Sequence, residues 1–110
     1  MFEIEYRAAV PAAEAFSRLF ATTGWDPQGR LTAVTAGEAL AHTWYAVSAY
    51  DGDRLVGTGR IVGDGVLHAL LADVIVDPDY RRRGIGNTIV ERLGFASRPD
   101  AASGMDLVAR

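Results

Sequence analysis

Polar and apolar residues alternate at the start of the chain. Phe2, Ile4 and Tyr6 alternate with Glu3, Glu5 and Arg7, the period-two pattern of a half-buried strand. Pro11 suits the first turn of a helix, where its missing N–H costs nothing. Ala12, Ala15, Phe16, Leu19 and Phe20 then share one stripe at helical spacing, which predicts a helix over Ala12–Thr23 ended by Gly24. Trp25-Asp26-Pro27-Gln28-Gly29 reads as a loop, and a short helix is expected over Ala36–Ala41. Trp44–Tyr50 is rich in aromatic and β-branched residues. With the turn Asp51-Gly52-Asp53 and the run Leu55–Val62 it predicts a β-hairpin. Gly63-Asp64-Gly65 marks a second turn. Val66–Val76, the most apolar stretch, suits a central strand buried on both faces. Asp77-Pro78-Asp79 must end it, because proline cannot continue a ladder. Ile85, Ile89, Val90 and Leu93 line one face of a helix that begins near Gly84 and stops at Gly94. A loop over Ala96–Gly104 and a short strand over Met105–Ala109 complete the chain. A strand, two helices, a three-strand meander, a helix and a last strand predict an α+β sheet flanked by helices.

The 110 residues suffice for a single domain, 1–110, with no internal repeat or linker. The longest apolar runs are far too short to cross a bilayer, and no signal-peptide pattern opens the chain. Without cysteine there is no disulfide framework, thiolate nucleophile or thiolate metal site, and a cytoplasmic, metal-free protein is expected. The net charge of −3 argues against general nucleic-acid binding. All 11 cations are arginine, and three of them stand together at Arg81-Arg82-Arg83.

That cluster lies where an anion site belongs, in Arg81-Arg82-Arg83-Gly84-Ile85-Gly86-Asn87, between an apolar strand and a helix. The first N–H groups of a helix lack internal partners and carry partial positive charge. Glycine at 84 and 86 lets backbone approach phosphate oxygens, and arginines add directional cations. No Gly-Lys-Ser/Thr follows, so this is not a Walker A loop, and no third glycine stands at position 89 for a dinucleotide fingerprint. Gly57-x-Gly59 and Gly63-x-Gly65 fall in strand and turn positions and are read as structural.

Val74-Ile75-Val76-Asp77-Pro78-Asp79-Tyr80 followed by Arg81-x-x-Gly84-x-Gly86 resembles the hallmark of the GNAT superfamily of acyl-CoA-dependent N-acyltransferases. Leu55-Val56-Gly57 resembles the strand before it, and the family order is followed from about Glu3 to Val90. The resemblance implies a mixed, mainly antiparallel sheet and acetyl-CoA as cosubstrate. It implies that backbone groups of Val74 and Val76 pair with the pantetheine arm. Amides from Arg82 through Gly84, Ile85 and Gly86 to Asn87 would hold the diphosphate. An N–H near Val74 would polarise the thioester carbonyl, and Trp25 and Asp26 would lie by the acceptor.

Attack on a thioester needs a neutral amine, and an alkylammonium has a pKa of about 10.4, so a base is required. Asp73 interrupts an apolar run, where a carboxylate needs a partner or a task. It is either the base or an ion-pair partner of an arginine such as Arg60. Asp77 suits a turn former and His68 a surface residue. No tyrosine follows Tyr80, and the position of the family's general-acid tyrosine holds Val90. The C-terminal half is thus shortened relative to the family. Two activities follow: N-acetylation of a small-molecule or peptide primary amine, or CoA or protein binding without turnover. With only Met105–Ala109 left to cover the edge of Val66–Val76, a homodimer is expected.

Overall fold

The computed structural model describes residues 3–97 and 107–109. Four strands form one antiparallel sheet in chain order: β1 (Ile4–Arg7), β2 (Tyr45–Asp51), β3 (Arg54–Gly63) and β4 (Ala69–Val76). Helices α1 (Ala13–Ala21) and α2 (Ala33–Leu40) precede β2. Helix α3 (Ile85–Arg92) follows β4 after a 3-10 turn at Pro78–Tyr80. The predicted α+β architecture is the one observed.

Alternation along the strands sends side chains to two cores. On one face Phe16, Leu19, Ala36 and Leu40 of α1 and α2 pack with Leu55 and Ile75. On the other, Ile85, Ile89 and Val90 of α3 pack with Val47, Ala49, Val56 and Ile61. The Gly57-x-Gly59 pair explains how closely α3 approaches. A Cβ at Gly59 would stand 2.7 Å from Ile89 Cγ2, and one at Gly57 would stand 3.1 Å from both Ile85 and Ile89.

Local chemistry sets the helix ends. The Thr32 hydroxyl accepts from Thr35 N–H at 3.1 Å, and the Thr35 hydroxyl accepts from Thr32 N–H at 2.9 Å. This reciprocal cap starts α2 at Ala33 rather than at the expected Ala36. The hydroxyls of Thr22 and Thr23 donate to the carbonyls of Leu19 and Phe20, so α1 closes at Ala21, short of Thr23.

One sequence expectation fails outright. Val66–Val76 is not a central strand. Its ordered part is Ala69–Val76, at the edge of the four-stranded sheet, and Val66 and Leu67 are 86% and 80% exposed. The cause is Asp64, whose Oδ1 accepts the N–H groups of Val66, Leu67 and His68 at 2.8–3.0 Å. Those bonds curl residues 64–68 into a compact turn that withdraws their amides from the ladder. Nor does the C-terminal segment pair with β4. Gly94, with φ of 92°, turns the chain out of α3 into β5 (Phe95–Ser97). The partner of β5 is β6 (Leu107–Ala109), in a separate two-stranded sheet. Among the described residues the outer edge of β4 therefore carries no strand. The predicted loop over Ala96–Gly104 is contradicted at its start, since Ala96 and Ser97 belong to β5; the rest of it, the start of the Met105–Ala109 strand and Phe2 lie outside the described residues.

Candidate functional site

The glycine–arginine loop is delivered by a tightly bonded turn. Asp77 N–H continues the ladder to Val56 O at 2.8 Å, while its carboxylate accepts from Asp79 N–H and from Arg54 Nη2, both at 2.9 Å. Asp77 is only 7% exposed, and these bonds are what make its burial tolerable. The turn-forming role expected of it is the one it has. Arg82 and Gly84 then adopt left-handed backbone, φ 65° and 77°. For arginine this costs of order 1 kcal/mol, a local strain of the kind that collects at functional loops. Gly84 caps α3, and the first turn, Ile85, Gly86 and Asn87, presents amides without internal partners.

A hollow of about 260 Å³ lies against this turn, lined by Val76, Tyr80, Arg81, Arg82, Gly84, Ile85, Gly86 and Asn87. A Cβ on Gly84 would meet nothing within 4 Å, and one on Gly86 only Val76 Cγ2 at 3.5 Å. The space is open, so Gly84 is needed for its conformation, and a larger side chain at 86 has room only toward Val76 and the hollow. Helix-start amides, left-handed backbone and adjacent guanidiniums match the donor set a diphosphate requires. Arg81 Nε donates to Val76 O at 3.3 Å, so that carbonyl, assigned above to pantetheine, already has an internal partner.

Sequence reasoning missed the hub behind the loop. Tyr80, 9% exposed, donates its hydroxyl to Asp51 Oδ2 at 2.5 Å. That bond and burial raise the phenol pKa, keeping it a donor. The guanidiniums of Arg54 and Arg83 lie 5.1 and 5.3 Å from its ring centroid. The signals in the sequence were indirect: Tyr80 stands directly before the arginines, and Asp51 opens the hairpin turn.

At the other candidate centre, Arg60 Nε donates to Asp73 Oδ2 at 2.7 Å, and Arg60 Nη1 donates to Ala39 O and the Thr43 hydroxyl, both at 3.2 Å. The ion pair weighed as an alternative for Asp73 is thus formed. Asp73 Oδ1 makes no hydrogen bond among the described residues, and the side chain is 24% exposed. Because Thr58 pairs with Ile75 and Arg60 with Ala72, Asp73 and Val74 together oppose Gly59 in a β-bulge. Asp73 has φ of 54°, a region that aspartate tolerates better than branched residues do.

The acceptor-side residues differ in their freedom. Asp26 uses both carboxylate oxygens to close its own loop, accepting from Arg30 N–H at 3.0 Å and Leu31 N–H at 2.8 Å. The Leu31 bond first, then the Arg30 bond, lowers its pKa. Trp25 is 59% exposed and meets Phe20 edge-on, so it does not plug the core. No hydrogen bond joins either residue to Asp73. His68 is at the surface, 3.7 Å from Asp64. No group of three metal-ligating side chains occurs among the described residues.

A sheet with helices on both faces, an edge strand interrupted by a bulge, and a glycine- and arginine-bearing turn at that strand's end define an acetyltransferase-type fold. The family model described as Acetyltransferase (GNAT) family matches residues 8–97, and the chain belongs to that family. It is 31% identical over 96 residues to serotonin N-acetyltransferase 2, chloroplastic, of Oryza sativa subsp. japonica, covering 86% of this chain and 48% of that protein. Histone acetyltransferase TAP1 of Glycine max is 28% identical over 78 residues, 64% of this chain and 34% of that one. Among solved structures, protein SA2161 from meticillin-resistant Staphylococcus aureus superposes with a TM-score of 0.73 at 29% identity, covering 82% of this chain and 65% of that one. The GNAT family acetyltransferase SP0256 from Streptococcus pneumoniae TIGR4 gives 0.65 at 33%, covering 84% and 64%. The chain thus spans less than half the length of these curated relatives and just under two thirds of these structures.

Proposed function

We propose that this chain transfers an acetyl group from acetyl-CoA to a primary amine. The observation that carries the reading is the hollow of about 260 Å³ at the start of α3, framed by Arg81, Arg82 and the Gly84–Asn87 turn at the end of an edge strand. Bound acetyl-CoA supplies an acyl group activated as a thioester. The amides of Gly84, Ile85, Gly86 and Asn87, with the guanidiniums of Arg81, Arg82 and Arg83, hold the diphosphate. The free edge of β4 at Val74 and Val76 holds the pantetheine arm as an added strand, displacing Arg81 from Val76 O. The bulge frees backbone near Val74 to donate to the thioester oxygen, where negative charge develops.

Asp73 takes the amine proton through Oδ1 while Oδ2 stays on Arg60. The departing thiolate is a weaker base than an alkylamine, whose conjugate acid has a pKa of about 10.4, so it can leave and be protonated by solvent without a tyrosine. Trp25 offers an exposed aromatic face to the acceptor; Asp26 serves only to shape that loop. A cytoplasmic homodimer belongs to the same proposal. The apolar, exposed Val66, Leu67 and Leu70 adjoin the first half of the open edge, away from the Val74–Val76 segment.

One observation favours a second reading, CoA binding without turnover: Asp73 is already paired. Thermal shift with acetyl-CoA, CoA, ATP and NAD tests the shared part, and CoA-selective stabilisation is expected. Equal shifts with ATP would remove both readings. Thiol release from acetyl-CoA over a panel of amines then separates them. Sedimentation at micromolar concentration tests the dimer.

A further inference from the structure

We propose that Asp51 and Tyr80 are a positioning pair for the diphosphate site, acting from the β2–β3 hairpin through the tyrosine ring onto Arg83. The inference rests on the reading of Arg81–Asn87 as that site. The hydroxyl of Tyr80 reaches across 29 residues of sequence to Asp51 Oδ2 at 2.5 Å. This bond orients a ring that stands directly before the arginine run and is otherwise buried. Two guanidiniums approach the ring. Arg54 is neutralised by Asp77 at 2.9 Å and Asp79 at 3.6 Å, which ties it to the turn. Arg83, in the loop itself, has its Cζ 5.3 Å from the ring centroid.

The ring is thus one contact that orients Arg83, and the Asp51 carboxylate orients the ring. A charge-assisted bond from a phenol kept protonated by its surroundings suits that task. The loop also has a specific need of support. Its left-handed residues, Arg82 and Gly84, flank Arg83 on both sides, so the segment must be held from outside to keep one shape. Core packing alone would be satisfied by phenylalanine at 80; the hydroxyl and its acid partner are what this role adds.

The test measures affinity for CoA and for pantetheine, which lacks the diphosphate, in wild type, Tyr80→Phe, Asp51→Ala, Asp51→Asn and the double variant Asp51→Ala/Tyr80→Phe. Loss of one such bond predicts CoA binding weaker by about five- to tenfold in Tyr80→Phe and in Asp51→Ala. The double variant should be no weaker than either single one, because all three remove the same bond. Asp51→Asn keeps an acceptor oxygen and should stay within about threefold of wild type. Pantetheine affinity should be unchanged throughout, which a general loosening of the fold would not allow. Additive losses, equal weakening toward pantetheine, or CoA affinity unchanged in Tyr80→Phe would overturn the pairing and leave the CoA reading standing. Wild type that binds no CoA removes both. Should Asp51→Ala fail to fold, Tyr80→Phe, which deletes a single oxygen atom, still decides.

Discussion

Beyond the bulge at Asp73, β4 runs through Val74, Ile75 and Val76 into the turn at Asp77 and Tyr80, with the core on both sides. Before the bulge the same strand begins at Ala69 and the exposed Leu70, led by a turn whose Val66 and Leu67 point into solvent. One half is anchored by a helix, a 3-10 turn and two bonded carboxylates, Asp51 and Asp77. The other is laddered to β3 from Gly63 to Arg60 but led in only by Asp64 and the Trp44 indole, which packs against Gly65 closely enough that a Cβ there would stand 2.6 Å from Nε1. The contrast shows where this family member must be rigid. A loop with left-handed backbone needs a preformed frame, while the solvent-facing half of the strand can vary without disturbing it.

The most severe way to break the anchored half is Gly86→Glu. A carboxylate would extend from the first turn of α3 into the hollow and oppose the diphosphate, and CoA affinity should fall at least about a hundredfold. Isothermal titration on the folded variant checks this. Unchanged affinity would place the cosubstrate elsewhere.

The bulge dividing the two halves is tested next by Arg60→Leu. It leaves the Asp73 carboxylate, 24% exposed, without its partner, and a loss of about 2 kcal/mol in unfolding free energy is expected, below the cost for a fully buried pair. Urea unfolding measures it. Asp73→Asn should cost less, since asparagine tolerates left-handed backbone and keeps an acceptor for Arg60. Its effect should fall on turnover while CoA affinity holds. If Asp73→Asn releases thiol at the wild-type rate, Asp73 is only the structural partner of Arg60.

Much of this contrast was legible before the structure, though unevenly. The turn and helix start at Pro78–Ile85 could be read because their signals are local: two glycines, three arginines and a proline between apolar runs. The Arg60–Asp73 pair was one of two open readings, because an acid in an apolar strand demands either explanation. The position of β4 was misread because hydrophobicity records what a segment could bury, whereas its partners are set by turn chemistry. A single aspartate, Asp64, capturing three amides outweighed the apolar run that follows it. The Tyr80–Asp51 bond joins residues 29 apart, and no periodicity marks such a pair.

The smallest expected effect belongs to the solvent-facing half and sharpens the comparison by its pH dependence. The Asp64 carboxylate has its pKa lowered to about 2, chiefly by the N–H groups of His68, Val66 and Leu67. An unfolded aspartate titrates near 3.9. A folded pKa below the unfolded one contributes stability that is complete above about pH 4 and is lost as pH falls through about 2. Asp64→Ala should therefore melt below wild type at neutral pH, and the gap should close between about pH 4 and pH 2. Asp64→Asn, which keeps an acceptor but cannot titrate, should show no such closing. The anchored half should be indifferent: CoA affinity at neutral pH should match wild type in both variants, because the turn at 64–68 lies at the far end of the strand from the Arg81–Asn87 loop. Thermal melts across that pH range, with CoA titration at neutral pH, read both halves of the strand in one set of proteins. A gap between Asp64→Ala and wild type that persists at pH 2 would show that the protonated acid holds the turn as well as the carboxylate does, and no gap at neutral pH would show that packing on Trp44 holds it instead.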